Sequence, residues 1–372
     1  MKILIFGLSA RLGGVESFLL NYSYELLKID SSIYLDFIVF DEVPSYCSAL
    51  EKSERCAFIV VPNRFLHPFR YKRILRHSML TGHYDALWAN LCTLSDISVL
   101  KIARPFIPRR IVHSHNSENM GNYINKVLHA VHKLQLEKCA TDFFACSEQA
   151  AAFMFDGVVS SIKDVVIVPN AIDVDRFTFN EEVRNEKRAL LGWQNCFVIG
   201  NVGRFHSQKN HHFIIQVFKK VIDREPHARL LLIGEGGLRD SVENEIKSCG
   251  IEDVVSILNP VMDVEKMYSA MDVFLFPSLY EGLGLAAIEA QTSGLPCLLS
   301  DTIPSVCRIS NKTKFMSLKK SADEWADALI DLYDRYADSD RSFDCENARK
   351  HGYNIRIEVK KMYNLFLATK QN

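Results

Sequence analysis

Phe276-Pro277-Ser278-Leu279-Tyr280-Glu281-Gly282-Leu283-Gly284-Leu285-Ala286-Ala287-Ile288-Glu289-Ala290 is the stretch on which the reading of this chain turns. An apolar run stops at a proline, a glycine-rich turn follows, and a helical pattern opens near Gly284. Strand, turn and helix in that order put Glu281 in the loop and Glu289 in the helix. The first amides of a helix have no partner within it, so the backbone around Leu283, Gly284, Leu285 and Ala286 can donate to an anion. Ionised carboxylates only accept hydrogen bonds. Beside an anion site, Glu281 and Glu289 therefore make sense as acceptors from hydroxyl groups, as a sugar presents them.

The same alternation runs along the whole chain. Short β-branched and aromatic runs are separated by helix-period segments, the pattern of parallel strands joined by crossover helices, so the class is α/β. Strands are expected near 2–7, 34–40, 57–61, 85–89, 110–114, 142–146 and 164–168, and then near 196–202, 228–233, 253–258, 272–277, 296–300 and 313–316. Amphipathic helices are expected over 15–28 and 124–140, and a closing helix over 355–370. The charged stretch 173–195 lacks a strand pattern and a fresh series of strands begins at Cys196. The expected domains are 1–178 with the closing helix 355–372, and 179–354.

The chain has 372 residues, 48% hydrophobic and 24% charged, enough for two domains that each bury a core. A net charge of -1 argues against a whole-surface nucleic-acid binder, which would carry a basic excess. The ten cysteines show neither a C-x-x-C pair nor metal-ligand spacing with histidine, so reduced thiols in a cytosol are expected and a metal site is not. The opening Met1-Lys2-Ile3-Leu4-Ile5-Phe6-Gly7 reads as a first strand, its apolar run being too short for a signal peptide. No run of about 18 uncharged apolar residues is present to span a bilayer.

Three further places attract chemistry. Gly7 to Gly13-Gly14 forms a glycine-bearing turn into a helix, though without G-x-G-x-x-G spacing, so a dinucleotide fingerprint is not supported. Strand 196–202 leads into Gly203-Arg204-Phe205-His206-Ser207-Gln208-Lys209, and open α/β sheets bind ligands at the carboxyl ends of their strands. Arg204 and Lys209 converging there would neutralise a pyrophosphate and stabilise the charge that grows as it leaves; the plainer alternative is two solvated cations. Strand 110–114 ends at His115 and Asn116, with His113 expected on the face opposite Asn116. Between Glu54 and Asp85 there is no acidic residue, whereas Arg64, Arg70, Lys72, Arg73 and Arg76 are interleaved with Phe65, Phe69 and Tyr71. With Lys101, Arg104, Arg109 and Arg110 they suit either an anionic membrane surface or a solvated helix face.

Together these residues resemble glycosyltransferase family 4, over essentially the whole chain and most specifically in its second half. The resemblance implies two Rossmann-like domains facing each other across a cleft, the GT-B architecture, with the closing helix packed back on the first domain. It implies that Glu281 holds a donor-sugar hydroxyl, that Glu289 holds the ribose, and that the amides of Leu285 and Ala286, with Arg204 and Lys209, hold the phosphates beside Gly203, Gly282, Leu283 and Gly284. Gly13 and Gly14 are similar to the family's glycine loop, and His115 to the histidine that reaches the donor sugar. Pro169-Asn170 matches as well, but Ala171 stands where a glycine is usual. The expected activity is a retaining, metal-independent transfer from a nucleotide-diphosphate sugar, with UDP-sugars foremost, to a lipid-linked saccharide acceptor in surface polysaccharide biosynthesis. No cofactor is implied, the nucleotide sugar being a substrate, and no nucleic acid is expected. The expected location is the cytoplasm, at the inner face of the plasma membrane. Alternatives are a nucleotide-sugar epimerase of the same architecture and a non-catalytic nucleotide-sugar-binding module.

Overall fold

The computed structural model describes residues 1–116, 122–261, 263–342 and 344–368. It forms two compact units, Met1–Ala171 with Ile355–Asn372, and Ile172–Asn354. The second unit begins at Ile172 because that residue is pinned to its own end: Ile172 N–H donates to the Tyr353 carbonyl at 2.9 Å.

The first unit is built on a seven-stranded sheet in the order β3-β2-β1-β4-β5-β6-β7. The strands are β1 (Lys2–Phe6), β2 (Tyr34–Phe40), β3 (Cys56–Val61), β4 (Ala86–Leu91), β5 (Arg109–Ser114), β6 (Asp142–Ala145) and β7 (Val166–Ile167). Every pairing is parallel, for example Ile5↔Phe37 and Ile5↔Trp88. A parallel sheet is covered on both faces, which is why β1 and β4 read as unbroken apolar runs. Phe37, Trp88, Ile111 and Phe144 face one core, and Leu4, Ile38, Leu87 and Val112 face the other. The helix Ile355–Leu367 returns to the first of these cores through Ile355, Val359, Met362 and Phe366. Its mooring is also polar, since Arg109 donates to the Phe366 carbonyl at 2.9 Å and Tyr363 to Asp30 at 2.7 Å.

The second unit repeats the plan with a six-stranded sheet in the order β10-β9-β8-β11-β12-β13. Its strands are β8 (Phe197–Val202), β9 (Ala228–Ile233), β10 (Val255–Leu258), β11 (Val273–Phe276), β12 (Cys297–Ser300) and β13 (Thr313–Met316), again all parallel. Both units thus place a first strand at the sheet centre, where the strand order reverses. The charged stretch that shows no strand pattern contains the helix Glu181–Leu191, clamped by Arg184 and Arg188, each 2.5 Å from one oxygen of Asp272.

All the expected strands form within a residue or two of their expected positions. The expected helix over 124–140 is instead two pieces, Tyr123–Lys133 and Leu136–Cys139, interrupted at Leu134 and Gln135.

Candidate active site

In the second unit, β8 ends against the turn that leaves β9. Gly203 N–H donates to the Ile233 carbonyl at 2.9 Å, and Phe205 N–H to that of Glu235 at 2.8 Å. A side chain at Gly234 would put its Cβ 2.0 Å from the Gly203 oxygen, and one at Gly236 2.3 Å from that of Phe205, and both glycines have positive φ. These two glycines therefore let the loops approach. Sequence reasoning passed over them, although the run Gly234-Glu235-Gly236-Gly237 directly after a strand was the available signal.

The loop after β8 closes through Asn210, a non-glycine residue at φ 56 whose amide donates to the Pro277 carbonyl at 3.2 Å. That contact, with Leu279 N–H on the Gln208 carbonyl at 2.8 Å, ties the loop to the segment after β11. Lys209 is thereby brought over the Phe276 ring, 4.6 Å from its centroid, with Nζ 2.6 Å from Glu281 Oε1. Gly203 makes room, because a Cβ there would meet the Lys209 stem at 3.3 Å. Gln208 donates to the Tyr280 carbonyl at 2.9 Å and to the second Glu281 oxygen at 3.3 Å. Arg204 behaves differently: it is exposed, and its guanidinium has no hydrogen bond or ion pair among the described residues. One cation is held and the other is free at the same strand end.

After Glu281 and Gly282, Leu283 is buried and Gly284 takes φ 84, ψ 51, the left-handed cap of the helix Leu285–Thr292. Among the described residues no side chain caps this helix, so the amides of Leu285 and Ala286 begin it without an intrahelical partner. One turn in, Glu289 accepts from the Tyr268 hydroxyl at 2.8 Å. Burial pushes the Glu289 carboxyl up to about 7, against the opposing pull of the Tyr268 hydrogen bond and of Arg176. The arrangement offers an anion donors from a helix start and a free guanidinium, flanked by two carboxylates that accept. Among the described residues no group of three or more His, Cys, Asp or Glu is placed to hold a metal ion.

Gly13, Gly14 and His115 belong to the first unit. Gly13 caps the helix Gly14–Ile29 in extended conformation with no side-chain cap. The buried Glu16 lies in the first turn of that helix and accepts from Ser9 N–H at 3.2 Å, so a carboxylate already occupies part of its positive end. Gly14 has open space around it. His115 is fully packed. Its Nε2 is 2.8 Å from Asn90 Oδ1, its ring stacks on His113 with centroids 4.3 Å apart, and the ring of Phe18 meets both imidazoles edge-on. Burial pushes His115 down to about 3 and His113 also well down, so both imidazoles are neutral at pH 7. Among the described residues His115 Nδ1 is buried with no partner. The Asn90 amide donates to the Phe6 and Trp88 carbonyls at 3.3 and 3.2 Å, which turns its oxygen toward His115 and leaves Nε2 as the protonated ring nitrogen. Ala171 is not among the described non-glycine residues with positive φ, so the Pro169 turn works without a glycine. Tyr22 holds it by donating to the Pro169 carbonyl at 2.8 Å.

Residues 183–351 match the family described as glycosyl transferases group 1. The Bacillus subtilis protein EpsF, named for glycosyltransferase activity, is 27% identical over 95% of this chain and 93% of its own length. An Escherichia coli protein, UDP-Gal:alpha-D-GlcNAc-diphosphoundecaprenol alpha-1,3-galactosyltransferase, is 24% identical over 87% of this chain and 82% of its own. In fold, the chain resembles Anabaena HepE, solved with UDP and glucose, at a TM-score of 0.79 and 16% identity over 99% of this chain and 100% of that one.

Proposed function

We propose that this chain is a GT-B glycosyltransferase that transfers a sugar from a UDP-sugar to a lipid-linked saccharide, with retention of configuration and without a metal ion, in the biosynthesis of a surface polysaccharide. The observation that carries the reading is the pairing of Lys209 with Glu281 beside an uncapped helix start and the free Arg204. A nucleotide diphosphate needs cationic and amide donors, and a sugar needs carboxylate acceptors within reach of them. Both are here on one strand end and the turn facing it.

In this reading Arg204, Lys209, Gly203 and the amides of Leu285 and Ala286 bind the pyrophosphate, while Glu281 takes a sugar hydroxyl and Glu289 the ribose. Gly282, Leu283 and Gly284 shape the turn. Fixed positive charge at the departing diphosphate would do the work a divalent cation does elsewhere, because preorganised donors stabilise developing charge without reorganising. His115, neutral and with Nδ1 lacking a partner among the described residues, is assigned as an acceptor for a donor-sugar hydroxyl, and Gly13 and Gly14 are assigned to donor binding. The Escherichia coli relative's name supports a diphosphate-lipid acceptor, and the neighbour solved with UDP supports a uridine donor. The basic residues from Arg64 to Arg76 suit a position at an anionic membrane surface.

A panel of nucleotide sugars tests the reading. One or more UDP-sugars should raise the melting temperature, as ligands of the native state do, and only those should give a labelled lipid product with membrane extract. A donor converted to its epimer without an acceptor would instead support the epimerase.

A further inference from the structure

The helix Tyr123–Lys133 is mounted with its polar side toward the protein. His129 Nδ1 accepts from Leu94 N–H at 3.0 Å, His132 Nδ1 lies 2.7 Å from the Leu94 carbonyl oxygen, and Lys133 Nζ donates to the Phe153 carbonyl at 3.3 Å. The His129 ring stacks on that of Phe153 with centroids 4.7 Å apart, and His129 is the buried residue of this helix. The opposite side is apolar and faces outward. Tyr123 is 80% exposed, Ile124 65%, Val127 44%, Leu128 36%, Val131 45%, and Leu134 just beyond the helix 83%. A surface helix ordinarily turns its apolar stripe to the core. Here directional hydrogen bonds hold it the other way round.

The loop that anchors this helix anchors a second apolar projection. Asp96, two residues after Leu94, pairs with Arg64 at 2.8 Å, and the Arg64 guanidinium lies over the Phe65 ring. Phe65, Leu66 and Phe69 are 80%, 75% and 88% exposed. So many large apolar side chains outside the core mark a surface meant to be covered.

The charges say by what. From residue 122 to 136 there is no acidic residue, while the exposed Lys126 is present, and beyond Phe69 come the exposed Arg70, Lys72, Arg73 and Arg76. An apolar ridge with these cations beside it suits an anionic bilayer, whose head groups meet the cations while the side chains enter the acyl boundary. A second copy of this chain would instead bring like charges together around the ridge. We propose that the outward face of the helix Tyr123–Lys133, with Phe65, Leu66 and Phe69, docks the protein on the surface of an anionic membrane. Its use rests on the reading of a lipid-linked acceptor, which would be met there.

The full chain is tested by co-sedimentation with vesicles of phosphatidylglycerol and phosphatidylethanolamine. Binding should fall about tenfold or more in V127E/V131E, which places charge on a face that would enter the bilayer. The melting temperature should stay unchanged, because both side chains are outside the core. In V131W the new indole should shift to shorter wavelength on binding and be quenched by brominated acyl chains. Thermal shifts with the panel of UDP-sugars are run alongside. Vesicle binding that V127E/V131E abolishes, in a protein that no UDP-sugar stabilises, would refute the donor reading and leave the surface standing. Parent and V127E/V131E binding vesicles equally, or the parent failing to bind them, overturns the proposal. So does a parent that self-associates in equilibrium sedimentation where V127E/V131E is monomeric, which gives the face to a second copy.

Discussion

Lys209 Nζ and Glu281 Oε1 lie 2.6 Å apart although 72 residues separate them in the chain. The pair is largely shielded, the lysine side chain 16% and the glutamate 8% exposed. Two charges withdrawn from water hold each other, and removing one strands the other, at a cost of about 3 kcal/mol.

The pair and Arg204 give the first prediction. In R204A/K209A, transfer from a nucleotide sugar should fall at least about a hundredfold in kcat, as when preorganised electrostatic donors are removed. R204A alone should leave the melting temperature unchanged because Arg204 is exposed and unpaired among the described residues, whereas K209A should lower it. Near-normal turnover in the double variant would exclude both residues from the chemistry.

Glu289 sets a pH dependence. Its folded-state value of about 7 lies above the ordinary 4.5, so the folded state holds the proton more tightly than the unfolded chain does. The stability this gives is fully present below about 4.5 and is lost as pH rises through about 7. E289Q, which never ionises, should therefore melt at a higher temperature than the parent at pH 8, and the gap should close toward pH 4.5. Melting curves across that range check it. A gap constant with pH would mean that Glu289 titrates normally.

Gly284 supplies the left-handed cap at φ 84, and a Cβ there would lie 3.3 Å from Ile303. G284A should cost about 1 kcal/mol from the backbone alone and lower the melting temperature by roughly 2–4 °C. It should also weaken UDP-sugar binding, since the same turn aims the amides of Leu285 and Ala286. Calorimetry separates the two effects, and unchanged affinity would remove these amides from the donor site.

Metal independence has a direct check. With Arg204 and Lys209 as the fixed charge, transfer should persist in excess EDTA. Complete loss restored by magnesium or manganese would overturn it.

The strands and their class were legible because a buried parallel strand has a local signature, an apolar run bounded by turn residues, that any chain position carries by itself. Glu281, Glu289, Arg204 and Lys209 were legible as candidates for a similar reason, since each lies in a loop or helix that follows a strand end that sequence alone marks. Sequence could not show that Lys209 is held by Glu281 while Arg204 stands free, because the Asn210 and Gln208 contacts that decide it join segments about seventy residues apart. It could not show Gly234 and Gly236 as the points where two loops touch, nor Asn90 fixing the proton on His115. Least of all could it orient the helix Tyr123–Lys133: an amphipathic pattern fixes that two faces exist, and only the partners of His129, His132 and Lys133 decide which of them meets the protein.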